Sequence, residues 1–289
     1  MITCVYHRRD FDGICSASIV KKRFPDVNLI GWDYEDELPT IEDKQTVILV
    51  DVSFPPQVME QYAYKAKEFI WIDHHKSAIN DYEKYFADKP TKKLLLNTSL
   101  DTNHSACELT WFYFFEDIKL PSIVKLLGTY DIFREYGNSF WNEEVIPFQL
   151  GLKAKCTSVE TFPSHLLRAG EDFLPILSII QDGKIIQRYT TEQNKLICQS
   201  AFEIEFEGLK AICLNAGVGS QTFNSIWDNT KYDVMLCFQY TGKTWRVSLY
   251  SDKPEVDCSA ICKLFNGGGH KGAAGFQTTN INSIIERKK

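Results

Sequence analysis

Several side chains in the first half of the chain are of the types that bind cations or move protons, and they come in short bursts. Asp10 and Asp12 stand in "DFDG", with His7 just ahead of them. Asp51 closes "TVILVD", Asp73, His74 and His75 are adjacent in "FIWIDHH", and Asp131 sits in "GTYDIF". Carboxylates gathered in one place repel one another at neutral pH unless cations lie among them. Oxygen-rich ligation with some imidazole and no thiolate suits Mn²⁺, Fe²⁺ or Mg²⁺ better than a structural zinc site. Two such ions about 4 Å apart, sharing one carboxylate, could activate a nucleophile and hold a phosphoryl group in line. Phosphate-ester hydrolysis is therefore the leading chemistry, provided the fold brings these residues together.

The surrounding pattern says how it could. "ITCVYH" (2–7), "TVILVDV" (46–52) and "FIWID" (69–73) are β-rich apolar runs, and "CSASIVKKRF" (15–24) and "PQVMEQYAYKAKEF" (56–69) are helix-compatible. This alternation predicts an α/β fold, a parallel sheet with helices on both faces. Ligands of such sheets bind beyond the carboxyl ends of the strands, where each of the three polar bursts falls. "HSACELTWFYFFED" (104–117) reads as a helix laying its aromatic face on the sheet, and the pattern loosens over 147–170. A long helix, despite Gly183, is predicted within 171–200. After it, "FEIEF", "LKAICLN", the helix-like "SQTFNSIWDN", "YDVMLCFQY" and "TWRVSLY" lead to "DCSAICKLFNGGGHKGAAGF", a smaller α+β domain. The expected organisation is thus a catalytic domain over 1–170, a connector helix over 171–200 and a second domain over 201–289.

Each feature also has an ordinary reading. An Asp after a strand commonly forms a turn or caps a helix, and "DFDG" could open a calcium loop, although the later acidic positions of an EF-hand are missing. "TGKT" at 241–244 lacks the first glycine of a phosphate loop and reads as a hairpin turn. His165 has no companion. The nine cysteines are scattered without a CxxC pair, which suits buried thiols, Cys258 and Cys262 included. The net charge of -6 argues against coating long nucleic acid. No apolar run approaches the roughly 20 residues of a membrane span, and the N-terminus lacks a signal-peptide pattern, so a cytoplasmic protein with no membrane partner is expected.

Taken in order, "DFDG", Asp51 in "LVDVSF", "DHH" at 73–75, "GTYDIF" and "GGGHKGAAGF" (267–276) resemble the motifs of the DHH phosphoesterases that carry a C-terminal DHHA1 domain, and the resemblance covers nearly the whole chain. It implies two divalent cations, Mn²⁺ as first choice with Mg²⁺ or Fe²⁺ as alternatives. Asp10 and Asp51 would hold the first, and Asp12, Asp51, His74 and Asp131 the second, with Asp51 as bridge. His75 would contact substrate phosphate or orient the site, so that Asp51, His74 and His75 form the catalytic set. Many family members place a histidine four residues before the first aspartate; here Tyr6 stands there and His7 follows, a one-residue slip that reverses direction on a strand. His7 is carried as a ligand of the first cation on that footing.

The resemblance also implies that the second domain binds substrate; there Gly267, Gly268, Gly269, His270 and Lys271, with Arg246, offer donors for a phosphodiester chain, and His104, at the start of a helix near the rim, either touches the scissile phosphate or is a structural helix-start residue. The resulting expectation is a phosphodiesterase that takes short oligoribonucleotides or linear dinucleotides to mononucleotides. Alternatives are a nucleotide phosphomonoesterase of the 3'-phosphoadenosine 5'-phosphate type, a polyphosphatase, and a non-catalytic nucleotide sensor. Oligomeric state, with a homodimer as one option, is not legible.

Overall fold

A computed structural model of the chain describes residues 1–34, 36–89, 96–116, 118–168 and 173–285. It divides into two units, Met1–Gln187 and Arg188–Lys289.

The first unit is built on a five-stranded parallel sheet. Its strands are β1 (Ile2–His7), β2 (Asn28–Trp32), β3 (Thr46–Val50), β4 (Glu68–Asp73) and β5 (Leu96–Leu100), in the order β2-β1-β3-β4-β5. The helices are α1 (Phe11–Arg23), α2 (Pro56–Lys65), α3 (Lys76–Phe86), α4 (Ala106–Phe114), α5 (Ser122–Asp131) and α6 (Ile146–Lys153). Alternation along the strands separates two cores. Cys4, Ile48, Val50, Ile70 and Ile72 pack with residues of α1, α4, α5 and α6, while Val5, Val47, Leu49, Phe69 and Trp71 pack with Met59 and Ala63 of α2 and Tyr82 and Phe86 of α3. Both faces of the sheet are therefore buried, which is why the strands read as continuous apolar runs rather than alternating ones.

Sequence reasoning missed β2 and β5, and ran α2 four residues past its end, the last two of them in β4. Trp111 of α4 is buried, but Phe112 and Tyr113 are exposed, so only part of the expected aromatic face packs inward. The segment that read as loose, 147–170, opens with most of α6, which directly follows a π-helical turn, Trp141–Val145.

A long helix, α7 (Phe173–Cys198), carries the chain across the boundary between the units. Gly183 within it is explained by packing: a Cβ there would strike the Pro147 carbonyl, and one on Gly151 would strike the Ile179 carbonyl. Backbone contact between α6 and α7 thus excludes any side chain at these two positions, and the gain offsets the roughly 1 kcal/mol that a mid-helix glycine costs.

The second unit is a six-stranded sheet of β6 (Phe202–Phe206), β7 (Leu209–Leu214), β8 (Val234–Tyr240), β9 (Trp245–Tyr250), β10 (Gly268–His270) and β11 (Ala273–Thr278), ordered β10-β11-β9-β8-β7-β6. Only β7 and β8 pair in parallel. "TGKT" makes the β8–β9 turn, with Gly242 at φ 91°. The helix-like stretch at 220–229 is a 3₁₀ turn, Ser220–Ser225. A short helix, α8 (Cys258–Lys263), buries Cys258 and Cys262, and all nine cysteines are free and buried. No helix among the described residues is long and apolar enough to cross a membrane.

Candidate metal centre

The carboxyl ends of β1, β3 and β4 bring the polar bursts together. Asp10 caps α1, its Oδ1 accepting from the Gly13 amide at 3.0 Å, and its Oδ2 lies 2.6 Å from His7 Nδ1. Gly13 has to be a glycine because a Cβ would collide with the His7 carbonyl. The "DFDG" sequence is thus a helix start wrapped around the end of β1, and the chain turns early enough to bring His7 onto Asp10 despite its shifted spacing. His7 Nδ1 is also 3.6 Å from Asp51 Oδ2.

Asp51 follows β3 with φ 59°, a left-handed conformation that a residue with a Cβ rarely adopts, and such strain collects at functional positions. It is 1% exposed. Its Oδ1 stands 3.5 Å from His74 Nε2 and 3.9 Å from His75 Nδ1. His74 Nε2 is in turn 3.6 Å from Asp12 Oδ2 and 3.3 Å from Asp131 Oδ2. The donors form three overlapping clusters: His7 with Asp10 and Asp51; Asp51 with His74 and His75; and Asp12 with His74 and Asp131. Asp51 belongs to two of them and His74 to two.

The electrostatics of this set are those of a site built for cations. Asp51 Oδ2 and Asp131 Oδ2 are buried without a hydrogen-bond partner. Burial, then repulsion from Asp12, holds the Asp51 carboxyl well above the usual range. Burial together with Asp12 and Asp51 pushes Asp131 up to about 9. His7 is raised to about 10 by its bond to Asp10 and the nearby Asp51 carboxylate. Burial works to raise Asp10, but its bonds to His7 and to the Gly13 amide prevail and hold it below the ordinary carboxylate value. Proteins do not bury unpaired carboxylates side by side without a compensating charge, and oxygen and imidazole donors match hard or borderline divalent cations.

Other residues hold the donors in place. Both oxygens of Asp12 accept backbone amides at the start of α4, from Ala106 and Cys107, each at 2.8 Å. Asp73, fully buried, accepts the His74 and His75 amides and pairs with His75 Nδ1 at 2.7 Å; this bond is the main cause of the raised His75 pKa. His75 Nε2 is the nitrogen left for another partner. Asp33, immediately after β2, lies 3.9 Å from His7 Nε2 and pairs with Arg9.

Glu108 and Arg134 make a bidentate pair, both bonds 2.8 Å, and Glu108 also accepts the Ser105 amide in a capping box. A Cβ on Gly128 would lie 2.7 Å from Glu108 Cδ, so this glycine lets α5 approach the start of α4. The pair joins the helix start that holds Asp12 to the segment just past Asp131. Replacing Arg134 by Met strands a buried carboxylate. Chemical denaturation should show a loss of roughly 2–3 kcal/mol, below the range for a wholly buried pair because Arg134 is partly exposed. Adding Glu108→Gln should recover most of it, and failure to do so would mean that the pair is not what holds the two segments.

The remaining sequence-predicted residues lie elsewhere. His104 pairs with Asp101 at 2.7 Å and meets Phe112 edge-on, outside the three clusters. Arg246, on β9, lines a cavity of about 270 Å³ with Gln239, Ser248 and Gly217. Gly268, Gly269 and His270 form β10, and Lys271 lies in the turn to β11. Gly267 and Gly269 are committed to packing against β11, whereas Gly268 faces open space.

Sequence reasoning missed Asp33, the role of Asp73 as an orienter, and the Glu108–Arg134 pair. Asp33 had a readable signal, since "NLIGWD" is an apolar run ending in Asp like the others.

The model of the DHH family, N-terminal domain, matches residues 1–128. Among curated proteins, the chain is 25% identical over 260 residues to an uncharacterized protein of Acanthamoeba polyphaga mimivirus, the match covering 85% of this chain and 56% of the viral one. The chain thus spans about half the length of that curated relative. Among solved structures it is similar to PggH, the pGpG-specific phosphodiesterase from Vibrio cholerae, at 12% identity and a TM-score of 0.58, covering 98% of this chain and 95% of that one. It is also similar to RecJ in complex with Mn²⁺ from Thermus thermophilus, at 14% identity and a TM-score of 0.49, covering 98% and 50%. The likeness to PggH shows a shared fold.

Proposed function

We propose that this chain, whose residues 1–128 match the model of the DHH family's N-terminal domain, is a divalent-cation-dependent phosphodiesterase that releases mononucleotides from short oligoribonucleotides or linear dinucleotides. The observation that carries the reading is the trio of donor clusters joined through Asp51 and His74, with Asp51 Oδ2 and Asp131 Oδ2 buried and without a hydrogen-bond partner. A non-catalytic nucleotide sensor has no need of so complete a set.

His7, Asp10 and Asp51 are assigned to one cation, and Asp12, Asp51, His74 and Asp131 to a second, with Mn²⁺ the first choice. Such ions supply Lewis acidity for phosphoryl transfer. The rest is done by the chain. Asp51 sets the spacing of the two positions, the amides at the start of α4 fix Asp12, and Asp73 fixes His75 so that Nε2 can donate to a substrate phosphate. His104, Arg246, Gly268, His270 and Lys271 are assigned to substrate binding, Gly267 and Gly269 shaping the ribbon that carries His270.

The test is digestion of 5'-labelled and 3'-labelled di- to decanucleotides with Mn²⁺, Mg²⁺ or Fe²⁺ added, alongside 3'-phosphoadenosine 5'-phosphate and polyphosphate. The expected result is cation-dependent release of mononucleotides, fastest on the shortest substrates. Faster turnover of the bisphosphate or of polyphosphate would move the chain to a phosphomonoesterase or polyphosphatase, and cation-dependent binding without cleavage of any of them would make it a sensor.

A further inference from the structure

The segment after Asp131 combines exposed aromatic rings with a strained backbone. Phe133 is 64% exposed and Tyr136 71%. Phe133 has φ 55° and Glu135 φ 60°, in the left-handed region where any residue with a Cβ is penalised. Single exposed aromatics are ordinary surface. Strain, in contrast, persists only where the surroundings impose it, and here they do.

Trp141 is buried and stacks on Tyr130 with ring centroids 5.6 Å apart and planes within 1°. Phe133 lies on the same indole at 5.9 Å and 23°, and Tyr136 meets it edge-on at 5.2 Å. Arg134, between them, is locked to Glu108, and its amide donates to the Thr129 carbonyl. Trp141 also opens the π-helical turn, a widened geometry that recurs at functional positions. Since two peptide units separate Phe133 from Asp131, their Cα atoms lie within about 7 Å of each other.

An exposed aromatic surface held on a buried indole, two residues from a donor of the metal centre, matches a flat ring carried by a phosphate ester. We infer that Phe133 and Tyr136 form a stacking surface for a nucleobase of the substrate. The inference rests on the nucleotide reading above and deepens it. Stacking accepts any base because every base has a π face, so this surface would select a flat heteroaromatic ring rather than a base sequence.

The test compares adenosine 5'-monophosphate with ribose 5-phosphate, which differs by the missing base, in titration calorimetry on the full chain with Mn²⁺. Wild type should bind the nucleotide more tightly by roughly 5-fold to 150-fold. Phe133→Leu, apolar but without a π face, should bring the ratio close to one, and Phe133→Trp should keep it. Should the leucine variant fail to fold by thermal melting, Tyr136→Leu carries the same comparison, with a reduced ratio expected. No preference in wild type, or an unchanged ratio in the folded leucine variant, overturns the inference. Because neither ligand needs to be turned over, the two readings fail separately: a chain that prefers the nucleotide but cleaves no dinucleotide loses the phosphodiesterase reading alone. One that cleaves dinucleotides without that preference loses only the stacking surface.

Discussion

Asp51→Asn should abolish hydrolysis while leaving the fold intact. Among the described residues Asp51 is the one carboxylate within reach of both His7 and His74, and the amide has nearly the same shape, so packing around it is retained. What is lost is a full negative charge at the point where two cation positions meet. Cation assistance to phosphoryl transfer contributes several kcal/mol, so kcat should fall on the order of 10³-fold or more. Calorimetric titration of the variant with Mn²⁺ should also show weakened binding at both positions. In the cation-free protein the change removes a buried, repelled carboxyl, and the melting temperature should hold or rise. Near-normal turnover in a folded variant would eliminate the shared-carboxylate arrangement.

The residues involved show what a linear sequence can and cannot convey. Asp51, Asp73 and His74 were legible because strand periodicity places them at the ends of buried runs, and α/β topology sends such ends to one rim. His7 was ambiguous, since a one-residue shift on an ideal strand reverses a side chain; the ambiguity was resolved by the sharp turn into α1, which depends on the absent Cβ of Gly13. The second half of the organisation was harder to read. Helix α6 was hidden by its Pro147 and Gly151, which ordinarily mark loops, whereas here the glycine serves contact with α7. The Glu108–Arg134 pair could not have been found, because nothing local distinguishes an Arg that meets a buried carboxylate 26 residues away. Apart from β2 and β5, elements set by periodicity were recoverable, and features set by a single tertiary contact were not.

The same cluster predicts an unusual response of stability to pH. Asp131 is pushed up to about 9, so between its ordinary value near 4 and that figure the folded state holds a proton that the unfolded chain has released. His7, raised to about 10, likewise contributes stability that is complete below about 6.5 and is lost as pH rises toward 10. Asp51 shifts in the same sense as Asp131. The lowered Asp10 contributes stability that disappears only on acidification, below this window. The raised groups therefore act together, and the melting temperature of chelator-treated protein should fall steadily from pH 6 to pH 9. Cations bind the deprotonated carboxylates and neutral imidazoles and expel the protons, so the gain from Mn²⁺ should grow over the same interval. At a concentration of 100 times Kd it should reach on the order of 5–10 °C, enough to flatten or reverse the slope. Melting curves at several pH values, with chelator and with Mn²⁺, measure both trends. A chelated protein whose stability is level or rises across that interval would show that the carboxylates are not crowded as described, and that the centre has no built-in demand for cations.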